Sequence, residues 1–215
     1  MKPGAAIESI KPKMRGLLHE IAFFVSLVTG PVLVAISDPG HRISTSIYSL
    51  TVSILFGVSA IYHRPNWQPA IRQWLRRLDR SAILLLIAGT YTPMAYVLRN
   101  VGWVRIVFVI VWVGAFFGVV FQFVPLNLPK PIVVIPYLVL GWMGVSLIVP
   151  AFQHVGVIAG GLLIAGGLLY TIGAIAYARR SPNPKPGIFG YHEVFHAFVI
   201  LAVFCHYSAI ALAVS

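Results

Sequence analysis

The chain has 215 residues, 59% of them hydrophobic and only 10% charged, with a net charge of +11 and a mean hydropathy of +0.88. A soluble globular domain carries about a quarter charged residues, so this composition excludes one and points to a bilayer as the solvent. A single cysteine, Cys205, also excludes an internal disulfide or a thiolate zinc cluster. Lipid offers the backbone no hydrogen-bond partners, so long unbroken apolar runs read as spanning helices. A basic tail, residues 1–16, leads into the first run, 17–36, which is too long for a cleaved leader and is expected to stay. The second run, 43–63, ends in "SAIYH". After it, Ile71, Trp74, Leu75 and Leu78 recur at helical spacing and predict an amphipathic approach along the inner leaflet. The third run, 81–98, contains "GTYTP", read as a Pro93 kink with back-bonding threonines. The fourth and fifth runs, 102–124 and 131–150, flank the "PLNLPKP" break. The sixth, 155–177, opens on Gly156 and Gly160, a GxxxG suited to close helix packing. "RRSPNPKPG" separates it from the seventh, 190–213. The expected fold is all-α: one seven-transmembrane-helix bundle over 17–215.

Charge orients that bundle. Lys2, Lys11, Lys13, Arg15, Arg64, Arg72, Arg76, Arg77, Arg80, Lys130, Arg179, Arg180 and Lys185 fall on one side, and Arg42, Arg99 and Arg105 on the other. The positive-inside rule then places the amino terminus in the cytoplasm and the carboxyl terminus outside, periplasmic or extracellular. These cations sit in short loops at the membrane face and are not interleaved with a stacking surface, so anionic lipid headgroups, not nucleic acid, are the expected partners.

The segment "YHEVFH", residues 191–196, contains HExxH, by which soluble metalloproteases hold zinc and use the Glu as a base. His192 and His196 lie four apart at the start of the last helix and project from one face, half of a metal site. The protease pattern takes a further ligand downstream, yet positions 199 and 202 are Val199 and Ala202, and no acid follows Glu193. The missing ligand is expected from earlier in the chain. His41 and His154 fall in outside loops, and His206 lies about 15 Å deeper along the helix, whereas His63 closes the second run at the same depth. Ser59 shares the face of His63 and could orient a ligand or water. Asp79 continues the apolar stripe of the approach and needs a buried partner. His19 and Glu20 begin the first run on the same side and could line the mouth.

Together "SAIYH", "LDRSAILLLIAGTYTP" and "GYHEVFHAFVILAVFCHY" resemble the three signature blocks of the hemolysin III family, bacterial relatives of the progestin and adipoQ receptors and the alkaline ceramidases. The likeness extends through "RGLLHEIAFFVSL" and "VLGWMG", over essentially the whole chain. It implies a seven-helix fold with a cytoplasmic amino terminus in a bacterial cytoplasmic membrane. It also implies a Zn2+ held by His63, His192 and His196, with Ser59 and Asp79 as accompanying polar residues. One departure is Arg80, where members often carry His after the block-two Asp. The wider superfamily often lacks the Glu between the two helical His, so the resemblance does not secure Glu193.

Three functions fit these residues. The first is a zinc-dependent hydrolase of a lipid amide or ester, serving membrane homeostasis, with Asp79 or Glu193 holding or deprotonating the attacking water. The second is a sensor or regulator of membrane composition with structural zinc. The third is a cytolytic pore, which needs polar groups along its whole length, whereas here they gather at one end.

Overall fold

The computed structural model describes residues 11–124 and 130–215, without the side chains of 130–134. Lys2, Glu8 and most of the "PLNLPKP" break lie outside the described residues. Among the described residues are eight α-helices and no strand: α1 (Leu17–Ile36), α2 (Arg42–His63), α3 (Pro69–Val97), α4 (Gly102–Phe123), α5 (Lys130–Trp142), α6 (Val145–His154), α7 (Val157–Arg179) and α8 (Tyr191–Val214). Six segments are long and apolar enough to cross a membrane: Leu17–Ile36, Pro39–His63, Gly102–Phe123, Ile135–His154, Val157–Arg179 and Tyr191–Val214. The chain is an all-α, multi-pass membrane protein. Its outward surface is apolar, with Phe24, Val28, Phe116, Phe117, Ile158 and Phe204 all exposed, because lipid rather than water meets that face.

Three expectations are corrected here. The amphipathic approach is not separate: residues 69–97 form one 29-residue helix, about 44 Å long at the helical rise. Arginines at its start do not break a helix, and Pro69 opens one well. Ile71, Trp74 and Leu78 are exposed on its outer side. The fifth run is divided into α5 and α6 by a turn at Met143–Gly144. There the Tyr91 hydroxyl donates to the Leu140 carbonyl at 2.8 Å, supplying a partner where the helix is interrupted. Gly156, finally, is no helix-packing residue. It stands before α7 at φ 127°, a conformation that favours glycine, whereas Gly160 does pack closely, against Phe152 of α6, as do Gly166 against His206 and Gly173 against Phe198.

Sequential neighbours pack side by side, α1 with α2, α2 with α3, α3 with α4, and α7 with α8, while α8 returns onto α1 and α3. Helix α3 is the central element, touching α2, α4, α5 and α8, and it buries Leu84, Leu86, Ala88, Tyr91 and Met94. At one end of the bundle the α1–α2 turn meets the carboxyl terminus, with Asp38 N–H donating to Val214 O at 2.8 Å. His41 lies edge-on to Tyr96 at the same end. At the other end, residues 11–16 run as a strap from the α2–α3 connection to the α7–α8 loop. Lys11 Nζ donates to Arg64 O at 2.8 Å and Pro65 O at 3.2 Å, and Lys13 N and Met14 N donate to Gly187 O and Ile188 O, each at 3.1 Å.

Candidate metal centre

The strapped end is where four helices bring their polar side chains together. His63 is the last residue of α2, His192 and His196 lie in the first two turns of α8, Asp79 is in α3, and His19 is in the first turn of α1. One ring nitrogen from each of His63, His192 and His196 lies within 4.8 Å of the others, and His192 Nε2 stands 3.2 Å from His63 Nε2. Tetrahedral bonds of 2.0–2.1 Å put ligand nitrogens about 3.3 Å apart, so the closest pair already spans the right distance. The His196 Nδ1 is buried and makes no hydrogen bond, and burying an imidazole nitrogen without a partner is unfavourable. The group is positioned to bind a metal ion.

Asp79 approaches from α3 with Oδ2 3.9 Å from His63 Nε2. Ser59 is buried one turn before His63. Sequence spacing thus anticipated five residues that the fold brings to one place: His63, His192, His196, Ser59 and Asp79.

Glu193, offered by the sequence as a candidate base, is turned toward the strap. Its side chain is 1% exposed and Oε1 lies 2.6 Å from Arg15 Nε in the strap. Oε2 accepts the Gly190 N–H at 2.8 Å, satisfying the backbone donor of the N-cap residue at the start of α8. Both oxygens are committed to holding the strap and capping the helix. Glu20 makes a parallel tie, to Arg64 Nε at 2.7 Å, binding α1 to the end of α2. Between these two pairs, Gly16 sits at φ 79°, and a Cβ there would lie 2.6 Å from His63 Cβ. The strap therefore presses its one side-chain-free residue against a member of the cluster.

His19, given only a place at the mouth by its sequence position, is part of the centre. It is 3% exposed, its Nδ1 lies 2.8 Å from Ser59 Oγ, and its ring stacks on His196 with centroids 3.7 Å apart and planes 6° from parallel. The other histidines stay apart. His206 Nε2 reaches Leu163 O at 3.4 Å between α8 and α7, and His41 belongs to the opposite end.

Fold and site together define a class: a multi-pass α-helical membrane protein with three converging imidazoles and an aspartate at one end of the bundle. Residues 7–207 match the family model described as Haemolysin-III related, and the chain belongs to the haemolysin III family, within the progestin and adipoQ receptor superfamily. It is 29% identical to Hemolysin-3 of Bacillus cereus over 74% of this chain and 69% of that protein. It is 26% identical to the human Monocyte to macrophage differentiation factor over 89% and 79% of the two chains. A shorter match, 39% identical over 32% of this chain and 18% of the relative, is to the Adiponectin receptor protein of Drosophila melanogaster.

Proposed function

We propose that this protein is a zinc-dependent lipid hydrolase of a bacterial cytoplasmic membrane, built as seven spanning helices over residues 17–215 behind a cytoplasmic tail, 1–16. The observation that carries the reading is the convergence of His63, His192 and His196 within 4.8 Å beside Asp79, whose Oδ2 lies 3.9 Å from His63 Nε2. Three neutral imidazoles suit zinc and leave one position open, the arrangement of catalytic rather than closed sites. Bound there, zinc would polarise an acyl carbonyl and make water acidic enough to attack near neutral pH. The rest is the work of the chain. Asp79 Oδ2 takes the proton of the attacking water and passes it to the leaving amine or alkoxide. Ser59 orients a ligand or the water from beside the cluster, and Glu193, engaged twice over, stays out of the chemistry. Because the chain is embedded in a bilayer, the substrate is a membrane lipid carrying an amide or ester, whose acyl bond is cleaved by addition of water.

The name of the Bacillus cereus relative suggests a cytolytic pore. A pore needs polar lining through the bilayer, whereas the residues that α4 buries are Val104, Val111, Ala115 and Gly118. Elemental analysis of the purified protein tests the metal. His63→Ala, His192→Ala and His196→Ala are each expected to lose most of the zinc, with His41→Ala and His154→Ala unchanged. Full zinc in His63→Ala would remove α2 from the site. Asp79→Asn is expected to keep zinc and lose lipid turnover, read by lipid analysis of the membrane. Unaltered lipids in that variant, with zinc still required for folding, would favour the regulator with structural metal.

A further inference from the structure

His19 is buried against the centre without belonging to the three-nitrogen group, and its geometry decides what it can do there. An imidazole binds a metal through a lone pair in its own ring plane. The rings of His19 and His196 are 6° from parallel with centroids 3.7 Å apart, so their lone pairs run in separate parallel planes. They cannot converge on one ion at 2.0–2.1 Å. A fourth ligand is therefore excluded while the stack stands. What the stack does is fix the plane of His196 from behind. His19 is itself fixed on two sides, by Ser59 Oγ at 2.8 Å from Nδ1 and by the edge of Phe56, ring centroids 5.0 Å away.

The geometry points to His19 as a positioning residue of the metal centre: through its stack on His196 and its tie to Ser59, it sets the orientation of one ligand ring and hence the strength of metal binding. Side chains that orient ligands from outside typically alter metal affinity by about 10–100-fold. The inference rests on the metal reading proposed above and adds a residue to it.

Cobalt(II) titration of the purified, metal-stripped protein tests it, because cobalt reports both affinity and ligand geometry through its visible absorption. His19→Leu removes the ring and is expected to bind cobalt about 10–100-fold more weakly, with a displaced absorption band at unchanged stoichiometry. His19→Phe restores a flat ring and is expected to recover most of that affinity. Ser59→Ala deletes the anchor on Nδ1 and is expected to shift the band in the same direction by less. Wild-type affinity and band in His19→Leu would overturn the proposal. So would complete loss of cobalt in both His19 variants, matching His196→Ala, since that is the behaviour of a ligand. Should His19→Leu fail to fold, an unmoved band in Ser59→Ala sinks it. Failure of the underlying reading looks different: wild-type protein that takes up no cobalt, indistinguishable from His63→Ala, takes both down, whereas a loaded wild type with indifferent His19 variants removes His19 alone.

Discussion

Glu193 carries the largest difference between a motif and its use. In a soluble HExxH site the acid faces the metal's open side; here it turns the other way, onto Arg15 and the Gly190 N–H. A carboxylate 1% exposed is tolerable only when paired, and removing one partner of such a pair leaves the other charge poorly solvated, a loss of about 3–5 kcal/mol for a fully buried pair. Arg15 retains 21% exposure and keeps some water, which moves Glu193→Ala toward about 3 kcal/mol. Glu193→Gln preserves an oxygen for Gly190 and is expected to lose less, with lipid turnover retained. Thermal unfolding in detergent micelles reads the first effect and lipid analysis the second. Wild-type stability in Glu193→Ala, joined to loss of turnover in Glu193→Gln, would return Glu193 to the role of base. None of this was legible locally, because the residue that decides it is Arg15, near the other end of the chain. Of the four histidines at the centre, the sequence offered His192 and His196 by their spacing on one helical face and His63 by its depth. The fourth, His19, needed the stack on His196, which follows from the packing of α1 on α8.

At the scale of elements, the bundle is set by how closely backbones approach, and Gly89 marks a close approach between α2 and α3. A Cβ there would meet Thr51, coming within 2.9 Å of both its Cβ and Cγ2. Membrane helices gain no hydrophobic drive against lipid and rely on such contact, so Gly89→Ala is expected to destabilise by about 1–3 kcal/mol. Adding Thr51→Ala to Gly89→Ala removes two of the three clashing atoms and is expected to recover part of that, giving a coupling measurable in a double-mutant cycle. Strict additivity would mean that the helices separate at no cost. The ends of α1 and α8 were readable to within a residue because lipid forces helix wherever the apolar run is unbroken. The extent of α3 and the division of α5 from α6 were not. Arginines at a membrane surface extend a helix as readily as they end one, and Tyr91, which serves the break at Gly141–Gly144, lies far from it in sequence.

For the whole molecule, the contacts turn a count of charges into an argument about sides. Lys11, Lys13 and Arg15 are tied through the strap to the α2–α3 connection and to the α7–α8 loop. Three basic segments distant in sequence thus share one end with the histidine cluster. Asp38, His41, Tyr96 and Val214 meet at the other end. The helix whose crossing needs argument is α3, since arginines crowd its first half. Yet its start, at Pro69, follows the strapped end and its Tyr96 touches His41 at the opposite one, and its length of about 44 Å exceeds the roughly 30 Å of hydrocarbon. Seven crossings leave the termini on opposite sides of the membrane, and six would leave them on the same side. In the proposed seven-crossing topology the positive-inside rule would put the basic end in the cytoplasm. A reporter fused after Ser215 is therefore expected to be active in the periplasm, and one inserted in "RRSPNPKPG" to report cytoplasm. In a Cys205→Ala background, Asn66→Cys is expected to be shielded from an impermeant thiol reagent added to intact cells, while Asn100→Cys reacts once the reagent reaches the periplasm. Labelling of both positions, or of neither, would show that α3 does not cross. A cytoplasmic carboxyl terminus would overturn the orientation and with it the assignment of the metal centre to the inner face.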